Sequence, residues 1–211
     1  MGIPFVVEPT DVTEHLAADT PAGEAAGLLA RRKAAAHPAA EDEQRVIIAA
    51  DTVVILENRI LNKPASVREA HLMLSDLSGK THRVITGVCV RQGSQEIAFQ
   101  EESRVTFRKL RPTEIERYVE QFHPLDKAGA YGIQECLPAD LDPLSDTERE
   151  FVERIGQSGL AAECRRIDGL RSPVVLIHSL EGSFFNVVGL PIASLWHRVR
   201  PLIAAAPADG R

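Results

Sequence analysis

The fold of this chain is decided by IIAADTVVILENRILNKP, residues 47–64. Its first half is an apolar, β-rich run, ENR (57–59) is typical of a turn, and ILNKP (60–64) is a returning edge. Pro64 ends the pairing because proline has no backbone N–H to donate. Residues 81–110 continue with strands joined by a glycine-containing turn. This second stretch predicts an antiparallel meander.

Helix starts alternate with these strands along the chain. A Ser or Thr followed three residues later by Glu predicts a capping box, and proline is favoured in the first helical turn. Strands and helices alternate without a strict βαβ rhythm, so we expect a single α/β domain with a mixed β-sheet flanked by helices. The expected starts are Thr20–Pro21, Ser66 with Glu69, Thr113 with Glu116, Ser145, and Pro191.

Composition excludes several classes of protein. The 211 residues are 44% apolar and 26% charged, which is ordinary for a soluble globular protein. A net charge of -6 and the lack of a dense Lys/Arg block argue against a nucleic-acid or anionic-membrane partner. No apolar run approaches the ~20 residues of a membrane span, and we expect a cytoplasmic protein. Cys89, Cys136 and Cys164 form no CxxC pair, so no zinc site or disulfide framework is indicated.

Asp51 interrupts an otherwise apolar strand. A buried carboxylate is costly without a cation, a metal or hydrogen-bond donors, so Asp51 is a candidate site residue. The alternative is a structural aspartate that bonds to a turn. Glu14 and Asp51 together could hold Mg²⁺, which takes one or two protein carboxylates and fills its other positions with water and phosphate oxygens.

Two lysines lie in segments that suit a phosphate pocket. Lys63 precedes Pro64 on the returning edge, which could bring it near Asp51, and Lys127 lies in DKAGAYG, residues 126–132. Small residues admit a ligand to the backbone while lysines supply point charges. The alternative for each lysine is a solvated surface charge. No Walker loop of the form GxxxxGK[ST] occurs.

The strand around VITGV, residues 84–88, carries further polar residues. Thr86 and Gly87 are interpreted as strand residues with tight packing. Thr81 and His82 are interpreted as a loop beside them.

Five segments in order resemble the Maf family of nucleoside triphosphate pyrophosphatases. The resemblance implies an α/β fold of the inosine-triphosphatase type with a deep nucleotide cleft. It also implies cleavage of a nucleoside triphosphate to the monophosphate and pyrophosphate with a divalent metal cation, Mg²⁺ or Mn²⁺. The segments are AADTVV (49–54), LNKP (61–64), LSGKTHRVITGV (77–88), DKAGAYGIQ (126–134) and EGSFFNVVGLP (181–191).

Within this family, ADTVV and AYGIQ are similar to the branch that acts on dTTP and UTP. The resemblance implies that Asp51 is the proton acceptor and that Thr52 and Gln134 select the base. It further implies a cleft lined by charged residues. The cleft residues are Glu14, Lys33, Lys63 and Lys127, with Arg31 and Arg32 as neighbouring alternatives to Lys33.

Two departures from the family pattern are visible. The family's S-x-S-P-R-R loop, which normally precedes a GIPF-like segment, has no counterpart in the 211 residues, so we expect an exposed apolar edge near residues 3–7. A long segment follows Gln134, and residues 136–179 are interpreted as an insertion within a single domain, 1–211. The alternative function is a weak or inactive nucleotide-binding regulatory protein linked to septum formation and cell division. A homodimer is one expected assembly.

Overall fold

The computed structural model describes residues 4–13, 15–17, 19–157, 159–160 and 174–205. Within them, helices cover both faces of a β-sheet. The strands are β1 Ile47–Leu56, β2 Arg59–Leu61, β3 Thr81–Gln92, β4 Gln95–Phe107 and β5 Ile177–Glu181. The helices are α1 Ala25–Ala36, α2 Val67–Leu77, α3 Pro112–Phe122, α4 Ile133–Cys136, α5 Asp146–Arg154, α6 Phe184–Val188 and α7 Ile192–Ala205.

The sheet has the strand order β2-β1-β3-β4-β5. The hairpin predicted for residues 47–64 and the meander predicted for 81–110 are both present, and β5 adds a strand from late in the chain. The α/β fold is therefore confirmed. The expected sheet was mixed, with parallel and antiparallel pairs. Among the described strands every pairing is antiparallel.

β3 begins at Thr81, so the loop interpretation of Thr81 and His82 is wrong. Both residues pair with β4, opposite Thr106 and Val105. The sheet extends this far because alternate side chains along β3, such as that of His82, are buried against the helices of the main core.

The main core lies on the face of the sheet that carries Val54 and Val84. α2 and α3 pack there with the large buried rings of Tyr118 and Phe107. Phe151 of α5 is also fully buried in this core, so part of the 136–179 segment packs into the main core. The boundaries 136–179 of the expected insertion stay a prediction.

The helix starts follow the sequence with two exceptions. At Thr20–Pro21 the cap is Pro21 rather than Thr20, and a 3-10 turn, Ala22–Glu24, leads into α1. Ser66 and Ser145 accept hydrogen bonds from the backbone N–H of the residue three positions on, as predicted. The Thr113 cap is wrong, because Pro112 occupies the first helical position and places the cap at Arg111. The Glu114 carboxylate accepts a 2.8 Å bond from the Arg111 N–H, which with the side chains of Arg111 and Arg108 lowers the pKa of Glu114 to about 2.

Three expectations about the chain can be compared with the described residues. Residues 4–13 form no strand there, and Phe5, Val6 and Val7 are exposed, as expected for an apolar edge; Ile3 lies outside the described residues. No described helix is both long enough and apolar enough to cross a membrane. Cys89 and Cys136 are buried free thiols, and Cys164 lies outside the described residues.

Candidate active site

Asp51 and Lys33 form an ion pair on the face of the sheet covered by α1. Their side chains are only 11% and 22% exposed, respectively, so both charges are largely removed from water. A charge pair held this far from solvent is stronger than one at the surface, but it also carries a desolvation cost. Of the partners that the sequence left open for Asp51, the structure supplies a cation, and that cation is Lys33.

The close approach of α1 to the sheet creates this pair. Gly87 of β3 lies directly under the helix, since a Cβ there would sit 2.4 Å from the carbonyl carbon and oxygen of Ala26. Ala30 and Ala34 continue the contact as small buried residues. The tight packing predicted for Gly87 is confirmed. It brings Lys33, one turn before the end of α1, over Asp51.

Thr52 faces the other side of the sheet, because successive side chains of a strand alternate. Its Oγ1 lies 2.8 Å from Oγ1 of Thr86, its cross-strand neighbour on β3. Gly189 lies beside it, since a Cβ at position 189 would be 3.5 Å from Thr52 Oγ1. Thr52 is half-buried, so part of the residue reaches solvent.

The two faces meet at an open strand edge. β2 pairs only with residues 54–56 of β1, so the described strands leave Ile47–Val53 unpaired on that side. Asp51 and Thr52 are adjacent in this unpaired stretch. A ligand that lies along the edge could therefore contact Asp51 from one face and Thr52 from the other.

The segment DKAGAYGIQ packs on the Thr52 face of the sheet through Gly129, and Tyr118 fixes its backbone by hydrogen bonds. Gly129 has a φ of +70°, and a Cβ there would be 3.0 Å from the side chain of Val54. Ala130 has a φ of +61°, a region that costs a non-glycine residue about 1 to 3 kcal/mol. The Tyr118 hydroxyl accepts a 2.9 Å bond from Gly132 N–H and donates a 2.5 Å bond to Glu135. These contacts fix the turn on either side of Gln134.

Gln134 itself lies on the short helix α4 and is half-buried. α4 contacts α6, which follows Ser183 and precedes Gly189. Gln134 is thus on the same side of the sheet as Thr52.

Lys127 begins the AGAYG turn of this segment, and both Lys127 and Lys63 have an acidic neighbour in Asp126. Lys127 Nζ is 2.9 Å from Asp126 and 3.5 Å from Glu135. Burial opposes the charge of Lys127, but the bond to Asp126 and the field of Glu135 raise its pKa overall. Lys63 is exposed and contributes to the lowered pKa of Asp126, whose largest cause is the bond from Lys127. No described contact joins either lysine to Asp51.

Glu14 and His82 complete the polar residues singled out in the sequence. Glu14 lies outside the described residues, and the part of the chain that is described contains no cluster of three metal-ligating side chains. His82 is buried at 1% exposure, and its Nε2 pairs with the Tyr131 hydroxyl at 2.8 Å. Burial lowers the pKa of His82 to about 3, so it is a neutral core residue.

A buried polar network behind Thr52 was not predicted from the sequence. Asn186 is fully buried; its Oδ1 accepts from Thr86 N–H at 3.1 Å, and its backbone carbonyl accepts from Thr86 Oγ1 at 2.7 Å. The Asn186 side-chain amide donates to Val84 O at 3.0 Å and to Ser103 Oγ at 2.9 Å. Every polar atom of this side chain therefore has a partner.

Glu148 anchors the same network from α5. Its buried carboxylate accepts a 2.6 Å bond from Ser183 Oγ and 3.2 and 2.9 Å bonds from the N–H groups of Phe184 and Phe185. Ser183 Oγ in turn accepts from Asn186 N–H at 2.9 Å. The Ser145–Glu148 capping box was visible in the sequence, but these contacts across 35 to 37 residues were not.

The structure is that of an α/β protein with a largely buried charge pair beside an open edge of the sheet. The chain belongs to the Maf family. The model of this family, described as "Maf-like protein", matches residues 1–141. Three relatives are each named dTTP/UTP pyrophosphatase. The protein of Symbiobacterium thermophilum is 39% identical over 197 residues, covering 91% of this chain and 80% of the relative. The protein of Halalkalibacterium halodurans is 37% identical over 193 residues, covering 92% and 82%. That of Bacteroides fragilis is 34% identical over 203 residues, covering 96% and 87%.

Proposed function

We propose that this chain is a nucleoside triphosphate pyrophosphatase that hydrolyses dTTP and UTP to the monophosphate and pyrophosphate. The observation that carries the proposal is the Asp51–Lys33 ion pair beside Thr52 at the open edge of β1. This arrangement supplies a base, a phosphate-binding cation and a hydroxyl within two adjacent strand residues and one helix. The names of the relatives support the same activity.

In the proposed reaction Asp51 orients a water molecule and accepts its proton. The water oxygen forms a bond to the α-phosphorus while the bond to the α–β bridging oxygen breaks, and pyrophosphate leaves. Lys33 holds Asp51 in place before substrate binds, and its ammonium is proposed to bind phosphate oxygens afterwards. Lys63 and Lys127 are proposed to stabilise the negative charge of the pyrophosphate.

The proposal includes a divalent cation, Mg²⁺ or Mn²⁺, held by Asp51 and Glu14. The donor set suits such an ion, because Mg²⁺ commonly takes one or two carboxylates and completes its shell with water and phosphate oxygens. When bound, the ion would neutralise charge on the phosphates. Asp51 keeps the attacking water in place beside them.

Thr52 and Gln134 are proposed to recognise the pyrimidine. Their position on the opposite face of β1 from Asp51 separates the base from the reacting phosphate. A buried polar group that loses its partner is costly, so such residues reject bases that leave them unpaired. We further propose that the protein acts in the cytoplasm. We also propose that it is a homodimer, and size-exclusion chromatography with light scattering tests this assembly.

A nucleotide panel tests the proposed activity. Pyrophosphate release from dTTP, UTP, CTP and GTP is measured with Mg²⁺ or Mn²⁺, and binding of the same nucleotides is measured by calorimetry. We expect turnover of dTTP and UTP at rates well above those of CTP and GTP. Tight binding of dTTP without pyrophosphate release would instead support the regulatory, nucleotide-binding alternative.

A further inference from the structure

The hydroxyl of Thr52 has only one direction left for its hydrogen. Thr86 Oγ1 lies 2.7 Å from the backbone oxygen of Asn186 and 2.8 Å from Thr52 Oγ1. Two oxygen atoms approach this closely only when a hydrogen lies between them. A carbonyl oxygen has no hydrogen to give, so the hydrogen of Thr86 must point to Asn186.

The second short distance then requires the hydrogen of Thr52. Because Thr86 has a single hydroxyl hydrogen, Thr52 must donate to Thr86. Toward a ligand, Thr52 Oγ1 can therefore act only as an acceptor. The same hydroxyl without Thr86 behind it would rotate freely and could donate or accept.

The network behind Thr86 leaves no freedom to reverse this order. Asn186 Oδ1 is fixed as an acceptor by Thr86 N–H, and the Asn186 amide donates to Val84 and Ser103. Ser103 Oγ donates its only hydrogen to Ser183 O at 2.9 Å, so it must accept from the Asn186 amide. All of these groups are buried, where an unpaired polar atom costs more than it does in water.

We propose that the Asn186–Thr86 pair sets the base selectivity of the site by making Thr52 an obligate hydrogen-bond acceptor. Uracil and thymine present a ring N3–H, which such an acceptor can bind. Cytosine presents an N3 lone pair at the same position, which would oppose the lone pair of Thr52. This inference rests on the proposed function, in which Thr52 contacts the base. Thr86 and Asn186 act through Thr52 as positioning residues.

Thr86→Val is the direct test, because valine keeps the branched shape and removes the hydroxyl. The Thr86 backbone N–H still bonds to Asn186 Oδ1, and the Asn186 carbonyl still accepts from Gly189 N–H at 3.1 Å. Freed from Thr86, the Thr52 hydroxyl could donate to cytosine N3. We expect the ratio of kcat/KM for UTP over CTP to fall about tenfold, equivalent to about 1.4 kcal/mol.

Two matched variants separate this effect from a general loss of stability. Thr86→Ser restores the hydroxyl and should keep the wild-type ratio. Thr81→Val removes a hydroxyl from another cross-strand threonine pair of the same sheet, 2.8 Å from Thr106, and should also keep it. An unchanged ratio in folded Thr86→Val protein would overturn the proposal.

A modified substrate tests the wild-type protein without any mutation. N3-methyl-UTP lacks the ring N–H and should lose about tenfold or more in kcat/KM relative to UTP. Equal use of the two nucleotides would refute the proposal even if Thr86→Val failed to fold. Should the wild type bind UTP without turnover, the proposed catalysis fails. The same ratios are then read from Kd values, so the two ideas are judged separately.

Discussion

Gly87→Ala tests whether the close packing of α1 sets the Asp51–Lys33 pair. A Cβ at position 87 would lie 2.4 Å from Ala26 and Gly27 backbone atoms, whereas ordinary contact begins at 3.4 Å. The clashing atoms belong to the helix backbone, which cannot rotate away as a side chain can. α1 would therefore have to rise from the sheet by roughly 1 Å, since packed interiors hold few voids to absorb the methyl group.

Two effects of different size should follow. Overpacking a core typically costs about 1 to 3 kcal/mol. For a protein of this length, each kcal/mol lowers Tm by about 2 to 4 °C. The rise of α1 also moves Lys33 from Asp51, and a displacement of ~1 Å in a site can lower the rate by about 10²-fold. Activity at 25 °C should thus fall far more than the fraction of folded protein.

The assay compares dTTP hydrolysis and thermal unfolding in Gly87→Ala and Gly23→Ala. Gly23 lies just before α1, and a Cβ there would have its nearest neighbour at 3.6 Å, an ordinary contact. The control should resemble the wild type in both measurements. If Gly87→Ala keeps wild-type turnover, the position of α1 does not control the site and this reasoning is wrong.

Three further changes test other parts of the structure. Gln134→Ala should lower the preference for dTTP and UTP by about 1 to 3 kcal/mol, measured as ratios of kcat/KM; an equal loss for all nucleotides would place Gln134 outside base recognition. Glu148→Ala should lower the free energy of unfolding, measured by chemical denaturation, by about 3 kcal/mol or more, because buried donors such as Ser183 Oγ lose their acceptor. The control Glu150→Ala should change it by less than ~0.5 kcal/mol. The buried His82 has a pKa of about 3 against 6.5 when unfolded, so the unfolded state binds more protons between these values and stability should fall as pH drops through that window. His82→Gln should flatten that dependence in Tm measured against pH, and an unchanged slope would assign it to other groups.

Local signals in the sequence predicted much of this fold. The 47–64 hairpin was predicted from β propensity, a turn and Pro64, and the Ser66 and Ser145 helix starts from capping boxes. These features depend on neighbouring residues, so they can be read from one short window. The Thr113 cap failed for a local reason, since Pro112 was the stronger signal for the first helical position.

The site was predictable only in part. Asp51 was identified because a carboxylate in an apolar strand needs a partner, but the choice of Lys33 depends on how closely α1 lies on Gly87. The contact between Thr86 and Asn186 joins residues 100 positions apart. No periodicity or capping rule links such positions, because their meeting is a property of the finished tertiary packing.

Asp51→Asn gives the most direct test of the central claim, that Asp51 is the base of a pyrophosphatase. The substitution keeps the size of the side chain and removes its negative charge. Single-turnover pyrophosphate release from dTTP is measured for both proteins, together with the Kd for dTTP and the Tm. We predict a rate lowered by about 10² to 10⁴-fold with the fold and nucleotide binding retained. Wild-type release by folded Asp51→Asn protein would contradict the account and remove Asp51 from the chemistry.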